Sequence, residues 1–293
     1  MKVAVIYIHF GKLPDYLLAS LSQAASYNRE VILITDSQLN LPNISTFDTS
    51  DFQKGVSEFE SVYKHMSSNT PAFEMICIKR WFILRNFMNE KKMDVCYYTD
   101  SDVMIYDDLS KAYENFKEFD AAYTLAETQD NYQWAASACC SYWQQEAINR
   151  FCDFVMECYS DKNSKLDEKW KFHQQNNVAG GICDMTLLYL FTSKINFFSL
   201  TKVVNDSCFD QNILIAENYK KDEYRMIKRR AENRMQKEVT WKKGIPFGYN
   251  RILEKEVRFI TLTEYAKLIC DQKSIPSRIE RKIRSLVRKL IRK

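Results

Sequence analysis

Glycine and proline are scarce in this 293-residue chain, at 6 and 5, and histidine occurs only three times. So little glycine and proline excludes collagen-like repeats and argues against long flexible linkers. His9, His65 and His173 lie far apart, and the nine cysteines include no CxxC pair. The usual zinc frameworks are thereby excluded. There is no glycine-rich phosphate loop, no GxGxxG, and no Ser-His-Asp or Cys-His pattern. No internal repeat or low-complexity block is visible. The apolar run at the start, MKVAVIYIHF, is too short and too weakly flanked by charge for a secretory leader or a membrane span. It reads as a first strand.

What is present is core. Apolar residues make up 46% of the chain and aromatics 14%, enough for one large domain, or a domain with an appendage. Cys77, Cys96, Cys139, Cys140 and Cys183 sit among apolar neighbours. Buried, reduced thiols and a cytosolic setting follow.

Strand and helix patterns alternate along the chain. Strands are expected at 3–10 (VAVIYIHF), 31–36 (VILITD), 94–100 (DVCYYTD), 120–126 (DAAYTLA) and 135–143 (AASACCSYW). Helices are expected near 14–26, 55–66 and 71–90, where proline opens the helix. Others are expected near 108–117, at 146–159, and within 180–193 after the Gly180-Gly181 turn. The order predicts an α/β fold with a mostly parallel sheet flanked by helices. Ligands of such sheets bind beyond the carboxyl ends of the strands. His9, Asp36, Asp100 and Asp102 all fall at such ends.

The net charge of +4 is unevenly spread. Residues 278–293, RIERKIRSLVRKLIRK, hold eight Lys/Arg and one Glu, so the remainder is mildly acidic. In this tail Ile279, Ile283, Leu286, Val287, Leu290 and Ile291 form one helical stripe, and Arg281, Arg284 and Arg288 lie off it. That is the pattern of a helix lying on an anionic membrane surface. A helix packed by its stripe onto the main domain is the structural alternative. A nucleic-acid arm is disfavoured, because the tail has no stacking aromatic and the body is acidic. The chain is therefore read as a main domain over 1–270 and a membrane-surface helix over 271–293. It would sit on the cytoplasmic face of the inner membrane.

The segment YYTDSDVMIYDD, residues 97–108, ends a β-forming run on Asp100 and Asp102. Two carboxylates at i and i+2 repel, and a divalent cation relieves that. Hard oxygen ligands suit Mg²⁺ or Mn²⁺, with phosphate oxygens completing the shell. A solvated turn is the plainer alternative. Asp107 and Asp108, just ahead of LSKAYENF, are expected to cap the next helix.

This segment resembles the Asp-X-Asp motif of GT-A-fold, nucleotide-sugar-dependent glycosyltransferases, and more closely the bacterial enzymes that build lipopolysaccharide or capsule chains. VILITD and FEMICIKRWFILRNFM stand ahead of it, and SACCSYW and GGICDMTLLYLF after it, in the order expected, so the likeness covers about residues 1–265. It implies that Asp100 and Asp102, with Ser101 between them, hold a divalent cation against the donor diphosphate. A UDP-sugar donor and a retaining hexosyl transfer to a saccharide or lipid-linked acceptor are implied with it. One departure is clear. The stretch VRFITLTEYAKLI lacks the histidine that many retaining members use as a further metal ligand. Asp206 and Asp210 are the substitutes within reach of the sequence.

Three more residue types bear on the site. On a helical wheel Arg80 falls amid Phe73, Cys77, Leu84 and Phe87, where a guanidinium needs an anion. A donor diphosphate or an adjacent carboxylate would serve. Asp184, after the two glycines, is either a residue binding sugar hydroxyls and supporting a charged transition state, or a helix cap. Trp134, Tyr142 and Trp143 are either sugar platforms or core. His173 is expected on a polar loop facing the same cleft. Two rival functions stand beside this one. A haloacid-dehalogenase-type phosphatase also uses Asp-X-Asp, but its motif lies near the N-terminus and has Thr or Val where Met104 stands here. A non-catalytic glycan-binding or membrane scaffold is the other.

Overall fold

Alternate residues of the first strand, β1 (Ala4–His9), serve opposite cores. Val5 and Tyr7 join one hydrophobic cluster, and Ala4, Ile6 and Ile8 join the other. Cover on both faces is why the strand reads as an unbroken apolar run. In the computed structural model the chain is described over residues 2–37, 41–129, 132–160, 164–229 and 234–270.

The main sheet has seven strands in the order β3-β2-β1-β4-β7-β6-β8. They are β1, β2 (Val31–Thr35), β3 (Ser45–Asp48), β4 (Val95–Thr99), β6 (Ala121–Thr124), β7 (Ser137–Gln144) and β8 (Phe197–Ser199). β7 pairs antiparallel with both neighbours, and every other pairing is parallel. The expected mixed, mostly parallel α/β sheet is observed.

Helices cover both faces. α1 (Asp15–Tyr27) and α8 (Tyr265–Cys270) pack on one side. α3 (Pro71–Glu90), α5 (Gln145–Ser160) and α7 (Asp184–Phe191) pack on the other, with the short α2 (Val56–Val62). α4 (Leu109–Tyr113) is capped by Asp108, whose carboxylate accepts from Ser110 N and Lys111 N, as expected, whereas Asp107 does not cap it and pairs with Arg258; α6 (Ser164–Gln175) follows α5.

A second sheet was not foreseen. It joins β5 (Met104–Ile105), β9 (Ser207–Phe209), β12 (Val239–Lys242), β13 (Ile245–Asn250) and β14 (Lys255–Leu262), and β10 (Met226–Arg229) pairs with β11 (Arg234–Lys237) as a separate ribbon. β5 and β14 join the segment just after β4 to the last strand of the domain, because Thr261 and Leu262 pair with Ile105 and Met104. No helix among the described residues is long and apolar enough to cross a membrane. The tail residues Ile279, Arg281, Ile283, Arg284, Leu286, Val287, Arg288 and Leu290 lie outside the described residues.

The chain runs from β1 to β2 and β3 on one side, then returns to β4 on the other. The point between β1 and β4 is therefore a topological switch, and a crevice opens there beyond the strand ends. His9 closes β1, and Asp100 directly follows β4.

Candidate active site

A cleft of about 510 Å³ lies at this switch point. His9, Arg80, Asp100, Ser101, Asp102 and Asp184 all line it. The fold thus gathers residues from β1, α3, the turn after β4, and α7.

Arg80 is the hub. Its Nη1 donates to Asp100 Oδ1 at 2.7 Å and to Tyr98 Oη at 3.0 Å, and its Nη2 donates to Asp184 Oδ2 at 2.5 Å. The anion demanded by its place on α3 is a pair of carboxylates. Burial works against the Arg80 charge, but Tyr98, Asp100 and Asp184 outweigh it, and the guanidinium stays protonated. Phe73 and Cys77, which share its wheel face, line the cleft rather than the core; Phe73 is 55% exposed. The apolar face of α3 therefore splits, with Leu84 and Phe87 buried below and Phe73 at the opening.

Asp184 is buried and also accepts from Trp81 Nε1 at 3.2 Å. It does not cap α7. It is the first residue of that helix, and the cap position is Cys183. Gly181 has φ +144, and a Cβ there would lie 2.3 Å from Met66 O. The close approach is to the chain's own backbone. Ile182 N donates to Met66 O, and Ser68 N donates to Gly180 O, tying the turn before Asp184 to residues 66–68.

Asp102 faces a cation that sequence reasoning missed. Lys267 Nζ forms an ion pair with Asp102 Oδ2, and a second with Glu264 at 3.2 Å. Its ammonium also lies 5.6 Å from the centre of the Tyr16 ring. The β5–β14 pairing carries Lys267 there, and Ala266 N donates to Asp102 O at 3.3 Å. A buried ion pair fixes the approach: Lys237 Nζ lies 2.5 Å from Asp210 Oδ1, and Thr263 N donates to Asp210 Oδ2 at 3.0 Å. The one available signal for Lys267 was its i,i+3 spacing from Glu264.

Burial, and then the neighbouring Asp100 charge, push Asp102 up to about 6, although Lys267 pulls the other way. The carboxylates around the turn exceed the cations. Asp100, Asp102, Asp184 and Glu264 stand against Arg80 and Lys267. No hydrogen bond reaches Asp100 Oδ2 or Asp102 Oδ1 among the described residues. Two free hard oxygens in a net-negative cleft fit Mg²⁺ or Mn²⁺, provided that phosphate and water complete the shell. Among the described residues no group of three or more His, Cys, Asp or Glu could hold a metal alone.

The other expected residues are placed as follows. His9 Nδ1 lies 3.1 Å from Ser101 Oγ. Asp36 is exposed and accepts from Gly11 N at 2.7 Å, so it shapes the loop after β1 and does not line the cleft. Asp206 is exposed and paired with Lys255, and Asp210 is buried against Lys237, so neither replaces the missing histidine. Tyr142 and Trp143 are core, whereas Trp134 stacks on Tyr189. His173 is buried in the last turn of α6, away from the cleft lining. All nine cysteines are free, and Cys77 and Cys183 line the cleft. Burial pushes Cys77 up to about 12, so it is no ready nucleophile.

No protein-family model matches the chain, and no curated protein matches it. Among solved structures it is similar to mouse xyloside xylosyltransferase 1 in its apo form, at 9% identity over 68% of this chain and 85% of that one, with a TM-score of 0.49. It is similar to the glycosyltransferase GlyE of Streptococcus pneumoniae TIGR4, at 13% identity over 68% of this chain and 45% of that one, with a TM-score of 0.40. A third is the galactosyltransferase LgtC in complex with donor and acceptor sugar analogues, at 11% identity over 71% and 76%, with a TM-score of 0.40. At these identities and TM-scores the likenesses carry no activity across.

Proposed function

We propose that this protein is a glycosyltransferase that moves a hexose from a nucleotide-diphosphate sugar, a UDP-sugar, to a saccharide or lipid-linked saccharide acceptor. The observation that carries this reading is the Asp100–Arg80–Asp184 bridge beside Asp102, in a cleft at the switch point of an α/β sheet. Such crevices take nucleotides beyond the strand ends.

Each residue has a distinct task. His9 and Ser101 line the end of the cleft beyond β1, on the donor side. Arg80 fixes Asp100 and Asp184 relative to each other. Asp184, buried and paired with Arg80, would set its carboxylate beside the place where positive charge grows on the sugar ring. Asp100 and Asp102 would hold Mg²⁺ or Mn²⁺, which supplies positive charge against the departing diphosphate. In the transfer the bond from C1 to the phosphate oxygen breaks, and its electron pair stays on the diphosphate. The acceptor hydroxyl oxygen bonds to C1 and gives its proton to the departing phosphate oxygen. Attack from the side on which the diphosphate leaves retains the configuration at C1.

The division into a catalytic domain over 1–270 and a basic helix over 271–293 belongs to the same proposal. So does attachment of that helix to the cytoplasmic face of an anionic membrane, where acceptors in lipopolysaccharide or capsule synthesis are carried. Titration calorimetry with UDP in the presence of Mn²⁺ tests the donor assignment. Saturable binding that Asp102→Asn abolishes supports it. Absence of UDP binding together with hydrolysis of phosphomonoesters favours a phosphatase.

A further inference from the structure

Lys267 is the feature of the cleft that a cation-binding Asp-X-Asp turn does not need. Its ammonium sits on Asp102 Oδ2, is shared with Glu264, and rests against the Tyr16 ring. Its side chain is 44% exposed, so the stem has room to leave. The backbone around it is fixed, by the hydrogen bond from Ala266 N to Asp102 O and by the buried Asp210–Lys237 pair behind Thr263. A part-exposed ammonium on a fixed base thus faces a buried carboxylate.

We propose that Lys267 is a tethered competitor for the cation at Asp102. The ammonium and a divalent ion cannot both neutralise this carboxylate at full strength. Asp102 has one oxygen in the ion pair, and a dication beside it repels an ammonium within a few ångströms. Cation binding is therefore opposed for as long as Lys267 holds Asp102. The pair protects a carboxylate that would otherwise stand buried beside Asp100, and it weakens binding of a bare metal ion. A cation arriving with a diphosphate is less affected, because the phosphate oxygens supply ligands and offer the displaced ammonium a new anion. Lys267 thereby favours the metal–nucleotide complex over the free ion. This inference rests on the reading of Asp100 and Asp102 as the cation-facing carboxylates of the proposed function.

The test is Mn²⁺ binding to the whole protein without nucleotide, read from the electron paramagnetic resonance signal of free Mn²⁺. Lys267→Met keeps the stem and removes the charge, and Lys267→Arg keeps the charge. We expect Lys267→Met to bind Mn²⁺ at least tenfold more tightly than wild type. Lys267→Arg should stay within about threefold of wild type, and Asp102→Asn should lose the site. Affinity in Lys267→Met equal to or weaker than wild type would overturn the proposal. So would binding that survives Asp102→Asn. Tighter Mn²⁺ binding in Lys267→Met with no affinity for any nucleotide sugar sustains this inference and sinks the glycosyltransferase reading. Nucleotide-sugar turnover with Mn²⁺ affinity unmoved by Lys267→Met does the reverse.

Discussion

Arg80 spans two carboxylates that approach it from different elements, Asp100 from the turn after β4 and Asp184 from α7. A lysine has one ammonium and cannot reproduce this fork. Arg80→Lys should leave one carboxylate unpaired, and the buried Asp184 makes that costly. We expect a loss of about 1–3 kcal/mol in denaturant unfolding, with weaker donor binding in the protein that stays folded. Unchanged stability would mean that the bridge does not hold the site together. A second residue gives a pH signature. Lys169 is buried and donates to Trp134 O and Thr186 Oγ1, both at 2.9 Å. Burial pulls it down from 10.5 to about 8. Between those values the unfolded chain binds more protons than the folded one, so this residue's contribution rises with pH from 8 to 10.5. The stability difference between wild type and Lys169→Met should move by up to roughly 3 kcal/mol across that window, in favour of wild type at the alkaline end. A flat difference would show that Lys169 is not desolvated. Asp100, Asp102 and Arg80 were legible in the sequence because each breaks a local rule: charges at a strand end, or a cation on an apolar face. Lys267 was not, because a lysine three residues after a glutamate on a short helix breaks none.

At the level of elements, five strands of the main sheet, β1, β2, β4, β6 and β7, were readable because cover on both faces leaves little room for polar residues, whereas the polar, part-exposed β3 and the three-residue β8 went unread. β9 to β14 were not readable either. Most are short, and their half-exposed faces admit residues such as Arg234 and Lys242. Antiparallel β7 reads from sequence like its parallel neighbours, since direction leaves no trace in the composition of a buried strand. The turn before α7 was legible by its glycines, but what they approach was not. Gly181 meets the backbone of Met66 and Ser67. Gly181→Ala should push the two segments apart and cost about 1–3 kcal/mol, as overpacking does, with strain from a positive φ in addition. Asp184 would shift with its turn, so donor affinity should fall in the same variant. Wild-type melting behaviour in Gly181→Ala would contradict this contact.

At the scale of the whole molecule, among the described residues one core cluster closes with Ile269 and the other with Phe191. Deleting residues 278–293 should therefore leave the melting temperature of the domain within about 1–2 °C of the full chain. It should also release the protein from vesicles of anionic lipid, and added salt should release the full chain as the Debye length shrinks. Retention on vesicles after deletion would refute the membrane role of the tail, and unfolding would show that its apolar stripe packs on the domain. The central claim is that the cleft breaks the bond between a hexose and a nucleotide diphosphate. The most direct measurement is release of free nucleotide diphosphate from a panel of UDP-hexoses, with a saccharide acceptor, by wild type and Asp184→Asn. The account predicts release with at least one donor, coupled mole for mole to an acceptor enlarged by one hexose, and a fall of at least about a hundredfold in Asp184→Asn. No donor consumed by folded wild-type protein, or equal rates in the two proteins, would contradict it.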